Sequence, residues 1–141
     1  MAQKPLVHEL TYTEDTIDSV SREIYNIMAK VNILTFQGPL GAGKTTLIQA
    51  VLQQAGVYEV TPSPTFSYVN TYTNSRGETF YHFDLYRLNS LDEFLDAGFD
   101  EYLHTPRSWV LIEWPEVIMD ILKDDVCHFS LSQIWCWQRQ H

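Results

Sequence analysis

Basic residues are scarce in this sequence. Across 141 residues, nine lysines and arginines face eighteen aspartates and glutamates, for a formal net charge of −9. Nucleic-acid backbones and anionic membranes are gripped by basic footprints, so this balance argues against the chain binding either one alone. It leaves room for a local basic site or a basic protein partner. Cysteine is almost absent. Cys127 and Cys136 form neither a disulfide framework nor a zinc-ligand pattern, and they read as two reduced thiols. No stretch approaches the roughly 20 apolar residues that span a bilayer. The first ten residues carry Lys4, His8 and Glu9 and lack the apolar core of a signal peptide. A cytoplasmic location with no membrane contact is therefore expected. What is present excludes disorder: 45% of residues are hydrophobic and 13% aromatic. The length suits a single domain over residues 1–141, able to bury roughly two thirds of its unfolded surface.

Apolar spacing divides the chain into alternating strands and helices. Residues 5–12 alternate in part and read as an edge strand. Thr13, Glu14 and Asp15 open a helix, with acids where the helix dipole favours them, and Ile17, Val20, Ile24, Ile27 and Met28 recur at helical spacing. Residues 31–36 are apolar and partly β-branched, a buried strand that ends in the glycine-rich turn 38–43. Leu47, Ile48, Val51 and Leu52 give 44–54 a helical pattern, stopped at Gly56. Two aromatic-rich runs, 66–72 and 79–84, flank the hairpin turn Asn74-Ser75-Arg76-Gly77. Ser90 and Glu93 have capping-box spacing at the head of a helix over 90–97. Residues 109–112 form a short strand, 115–122 a proline-opened helix, and 126–131 a weak last strand. This alternation predicts an α/β three-layer fold: a mainly parallel central sheet flanked by helices, with a β-hairpin insertion. Residues 132–141 read as either an atypical or a poorly ordered tail.

Chemistry enters at residues 38–45. Gly38-Pro39-Leu40-Gly41-Ala42-Gly43-Lys44-Thr45 meets every fixed position of G-x-x-x-x-G-K-[ST]. A chance match in a chain this long is roughly one in a few hundred. Glycines let the backbone turn tightly and aim N–H groups at phosphate oxygens. The helix that follows adds its positive end. Lys44 reaches the β- and γ-phosphates, and the Thr45 hydroxyl suits Mg²⁺. Thr46 either supports the loop or touches phosphate. A strand before and a helix after complete the expected P-loop NTPase-like setting.

Three further islands narrow the reading: Ser63-Pro64-Thr65-Phe66, His82-Phe83-Asp84-Leu85-Tyr86-Arg87 and Glu113-Trp114-Pro115-Glu116. Glu113 ends an apolar strand, where the acidic residue of a P-loop sheet belongs, because ligands bind at the carboxyl ends of parallel strands. There it can hold Mg²⁺, polarise a water, or merely cap the helix at Pro115. Asp84 also follows a strand and reads equally as a turn aspartate. His82 shares its strand face and reads as a packed, hydrogen-bonded core residue. Arg87 pairs with an acid or approaches the phosphates. Thr65 lies in a loop pinned by Pro62 and Pro64, either a rigid turn or a sensor of the γ-phosphate. Trp114 packs in the core, beside a nucleotide or against a partner. The acids from Asp92 through Glu93, Asp96 and Asp100 to Glu101 form a solvated face or a docking surface for a basic partner. No Asn-Lys-x-Asp segment of the guanine-reading kind is present.

With Leu40 to Thr46, these islands resemble the TsaE family, also called YjeE: small bacterial P-loop ATPases needed for the threonylcarbamoyladenosine modification of tRNA. The likeness spans about residues 10–120. It departs at Pro39, where the family usually has aspartate, and after Val126, where residues 134–139 are unlike the family's closing strands. The resemblance implies ATP as the nucleotide and Mg²⁺ as cofactor. It places Gly38, Pro39, Leu40, Gly41, Ala42, Gly43, Lys44, Thr45 and Thr46 on the nucleotide, with Thr13 and Thr16 bordering the base. Thr45 and Glu113 would hold the metal; Asp84, Glu113 and Thr65 would be catalytic. It further implies weak intrinsic ATP hydrolysis, stimulated by a TsaB–TsaD complex that modifies adenosine 37, with tRNA reached only indirectly. The other function classes compatible with the loop are a small-molecule P-loop kinase and a non-hydrolysing, nucleotide-dependent interaction module. Against the kinase stands the lack of an arginine-rich lid segment.

Overall fold

The mostly apolar run at residues 33–36 lies at the centre of a seven-stranded sheet, buried on both faces, with Thr35 as its one polar residue. The computed structural model describes residues 3–9, 15–39, 41, 43–59, 67–123, 125–130 and 133–139, the first and last of these segments as backbone. Along the chain the elements are β1 (Gln3–Glu9), α1 (Ile17–Ile27), β2 (Ile33–Gln37), α2 (Lys44–Gln54), β3 (Val69–Thr73), β4 (Thr79–Asp84), α3 (Leu91–Asp96), β5 (Ser108–Glu113), β6 (Val126–Ser130) and β7 (Gln133–Arg139). Two 3-10 helices, Phe99–His104 and Pro115–Ile121, flank β5. The sheet order is β1-β7-β6-β2-β5-β4-β3. β6, β2, β5 and β4 run parallel to one another, while β3 pairs antiparallel with β4 and β7 antiparallel with β6.

Alternation along the strands builds two cores. Leu34, Phe36, Leu111, Phe80 and Phe129 point to one face, where α1 and α2 cover them with Val20, Ile24, Leu47, Ile48, Val51 and Leu52. Ile33, Val110, Ile112, Phe83 and Val126 point to the other, packed by Phe94 of α3 and by Leu103 and Ile118 of the 3-10 helices. This is the expected three-layer α/β architecture. Its connection β2–α2, one strand into one helix through a glycine turn, sits in the middle of the sheet.

Some expectations shift. The helix predicted over 115–122 is a 3-10 helix. A second 3-10 helix at Phe99–His104 was not foreseen. The hairpin is part of the sheet rather than an appendage: β4 pairs in parallel with β5, and β3 forms the edge. Residues 133–139, read as an atypical tail, form β7 between β6 and β1. That pairing sets Cys136 opposite Cys127, and Cys127, fully buried, is disulfide-bonded rather than a reduced thiol. The eight residues between the two cysteines hide this closeness from spacing rules. Among the described residues, no helix is long and apolar enough to cross a membrane.

Candidate functional site

Four chain segments end together at the carboxyl edge of the parallel strands: β2 at Gln37, β4 at Asp84, β5 at Glu113 and β6 at Ser130. Such an edge is where an α/β sheet binds ligands. β2 runs into the glycine turn. Gly41 has φ +78° and Gly43 φ +96°, backbone conformations that an L side chain rarely adopts. Gly43 is the N-cap of α2, so Lys44 and Thr45 open that helix with their side chains over the sheet edge.

Lys44 is buried, at 5% exposure. Its Nζ donates to the carbonyl oxygens of Gly38 and, at 3.1 Å, Pro39. The same ammonium stands 4.0 Å from the centre of the Trp114 ring, a cation–π contact. Trp114 reaches this place because its own backbone is left-handed, with φ +56°, directly after β5. For a residue other than glycine that conformation costs about 1–2 kcal/mol. The Tyr86 ring, 4.8 Å away, packs on the same tryptophan. Burial pulls the Lys44 ammonium below the usual lysine range, opposed by the negative charges of Glu113, Glu116 and Asp84.

The Thr45 hydroxyl lies 3.0 and 2.9 Å from the two oxygens of Glu113. Glu113 is 3% exposed, and its Oε2 has a second partner in Nε2 of His82 at 2.7 Å. Two hard oxygen donors side by side, a hydroxyl and a carboxylate, form a donor set suited to Mg²⁺, which takes few protein oxygens where phosphates are bound. Among the described residues there is no group of three or more His, Cys, Asp or Glu that could hold a metal by itself. Asp84 is the register partner of Glu113, and its Oδ1 accepts the Tyr86 N–H at 3.0 Å. It thus behaves as a turn aspartate while its charge acts on Lys44.

The structure therefore brings Gly38, Pro39, Gly43, Lys44, Thr45, Asp84 and Glu113 together, with Gly41 exposed on the turn between them. Thr46 is exposed on the first turn of α2, and Arg87 is exposed on the turn after β4. Thr13, Leu40, Ala42 and Thr65 lie outside the described residues. The spacing reasoning missed Tyr86 as the packing partner of Trp114, and Glu116 as a charge acting on Lys44. Both stand inside the islands already singled out, but neither has a fixed offset from the glycine turn that could have flagged it.

Known proteins are similar to this chain in sequence and in fold. The family model for threonylcarbamoyl adenosine biosynthesis protein TsaE matches residues 11–140. The tRNA threonylcarbamoyladenosine biosynthesis protein TsaE of Rickettsia conorii is 33% identical over 129 residues, covering 91% of this chain and 71% of that protein. The protein of the same name from Rickettsia felis is 38% identical over 102 residues, covering 72% of this chain but 58% of the relative. The crystal structure of Bacillus subtilis YdiB has a similar fold. It aligns with a TM-score of 0.66 at 24% identity, over 97% of this chain and 86% of its own.

Proposed function

This chain belongs to the TsaE family of threonylcarbamoyl adenosine biosynthesis proteins, and from that premise we propose that it is an accessory ATPase of tRNA threonylcarbamoylation. It binds ATP with Mg²⁺, hydrolyses it slowly alone, and works on the TsaB–TsaD complex in the cytoplasm. The acidic chain leaves the direct grip on tRNA to those partners. The observation that carries the reading is the meeting of Thr45 and Glu113 at 2.9–3.0 Å beside a glycine turn that ends in Lys44.

The chain's own groups divide the work. Backbone N–H groups of the glycine turn and the first turn of α2 cradle the phosphates. Lys44 exchanges the carbonyls of Gly38 and Pro39 for phosphate oxygens. Trp114 and Tyr86 keep water from one side of that ammonium, which strengthens its pull on charge. The Thr45 hydroxyl and the Glu113 carboxylate would hold Mg²⁺. When bound, the ion supplies neutralisation of charge developing on the phosphate oxygens. Asp84, adjacent to Glu113 in register, and Thr65 orient the attacking water. Slow turnover without a partner follows if the remaining catalytic groups come from the complex.

Phosphate release by the full chain tests this, measured alone, with TsaB–TsaD, and with tRNA added. The expected outcome is a low basal rate that rises with the complex. Phosphoryl transfer to a small metabolite, indifferent to the complex, would identify a kinase instead. ATP binding with no turnover would leave a non-hydrolysing interaction module.

A further inference from the structure

Glu113 is held from below by a histidine that the proposed chemistry leaves unused. His82 is wholly buried, and its Nε2 lies 2.7 Å from Oε2 of Glu113. The two residues sit on neighbouring parallel strands, displaced by two positions: His82 is opposite Leu111, and Asp84 is opposite Glu113. Residues two apart on a strand share a face. The imidazole therefore rises along the α1/α2 face of the sheet toward the strand end, where it meets the carboxylate.

The second ring nitrogen decides how to read this contact. Nδ1 is buried with no hydrogen-bond partner among the described residues. An orphaned acceptor is better tolerated in proteins than an orphaned N–H. The ring hydrogen therefore belongs on Nε2, which donates to Glu113, while Nδ1 keeps a bare lone pair. A side chain retained only to fill space would serve better as leucine or phenylalanine, with no polar atom left unpaired. The hydrogen bond to Glu113 is the contact that accounts for an imidazole here.

The terminal torsion of a glutamate is broad and weakly restrained. Two partners on different elements restrain it: Thr45 from α2 and His82 from β4. We infer that His82 is a positioning residue, which pins one oxygen of Glu113 and so fixes the lone pairs that the carboxylate presents beside Thr45. The inference rests on the reading of Glu113 as a metal-holding carboxylate. Outer partners of this kind change metal affinity by about 10–100-fold when removed.

Two substitutions separate donation from packing. His82→Asn carries its amide only as far as the orphan Nδ1 and removes the donor. His82→Gln carries an amide N–H out to the place of Nε2. His82→Leu, which fills the core without a polar atom, is a second donor-free variant should the asparagine variant fail to fold. Calorimetric titration of ATP at a series of Mg²⁺ concentrations, with thermal unfolding of each full-length variant, reads the effect. Wild type and His82→Gln are expected to need similar Mg²⁺ for half-maximal ATP binding, and the donor-free variants about tenfold more. A donor-free variant that matches wild type overturns the inference, and so does a glutamine variant as impaired as the donor-free ones. If wild-type ATP binding shows no Mg²⁺ dependence, the metal reading of Glu113 itself fails; if that dependence is present in wild type and unchanged in every variant, only the role of His82 fails.

Discussion

The hydroxyl of Thr45 and the carboxylate of Glu113, 68 residues apart in sequence, meet at 2.9 and 3.0 Å across the end of the sheet. The hydroxyl is half-buried and the carboxylate buried. The threonine opens α2, and the glutamate ends β5 at 3% exposure. Desolvating a carboxylate is costly unless donors surround it, and here a hydroxyl and an imidazole do so.

Removing the charge of Glu113 while keeping its shape is therefore the sharpest test of the site. Glu113→Gln is expected to lower ATP turnover by about a hundredfold or more, the scale on which preorganised electrostatic groups act, with the fold intact. Thr45→Ser should retain most activity and Thr45→Ala should not. Phosphate-release rates of the three variants, normalised to wild type, check this; an unaltered rate for Glu113→Gln refutes the role assigned to it.

Trp114 reports on Lys44. The ammonium sits 4.0 Å from the indole centre and is also tied to the Gly38 and Pro39 carbonyls. A phosphate that draws Lys44 away removes a cation–π contact of about 0.5–2 kcal/mol and changes the surroundings of the ring. ATP should thus shift the tryptophan fluorescence of the wild type, and Trp114→Phe should abolish most of that response although Trp109, Trp135 and Trp137 remain. Lys44→Ala should remove ATP binding itself, seen by calorimetry.

His128 makes stability depend on pH. It is buried on β6, its Nδ1 lies 2.7 Å from the Thr35 hydroxyl, and burial holds its ring below the usual histidine value of 6.5. The unfolded chain then takes up a proton that the folded chain resists. Stability contributed at neutral pH is lost as pH falls through about 6.5 toward the lower folded value. Urea unfolding at pH 7.5 and pH 5.5 should show wild type losing more stability on acidification than His128→Asn, whose amide reaches the place of Nδ1 and keeps a polar partner for Thr35 without titrating. Equal losses in the two proteins would refute the assignment.

Two structural substitutions calibrate the scaffold. Phe36 is fully buried and stacks on Phe129 with ring centres 5.2 Å apart, on the strand that carries the glycine turn. Phe36→Ala should cost about 3–5 kcal/mol and loosen the loop, lowering ATP affinity as well as Tm. The Ser90 side chain accepts the Glu93 N–H at 3.2 Å and caps α3, a contact that involves none of the site residues. Ser90→Ala should cost about 1 kcal/mol with ATP affinity unchanged. Chemical unfolding and calorimetry on the same samples distinguish the two.

Much of this protein was legible in the order of its residues. The strand at 33–37, the turn with glycines at 38, 41 and 43, and the helix from Lys44 follow from local spacing and from conformations only glycine adopts readily. So does the cap at Ser90. The place of Glu113 at the sheet edge was legible because it directly ends an apolar strand. These features depend on neighbours within one or two turns of chain, and that is the range over which spacing carries information.

What tertiary structure alone decided lies between distant segments. The bond from His82 to Glu113 exists because β4 and β5 pair in parallel with one register; a shift by one residue would turn the imidazole to the other core. The indole of Trp114 covers Lys44 because one left-handed residue redirects the chain after β5. The proline in the sequence marks a helix start there but not that turn. Residues 133–139 became a strand between β6 and β1 through backbone pairing, which can recruit a segment whatever its side-chain pattern. Composition and spacing determined which groups could bind phosphate; strand register and one strained backbone angle determined which of them stand close enough to act together.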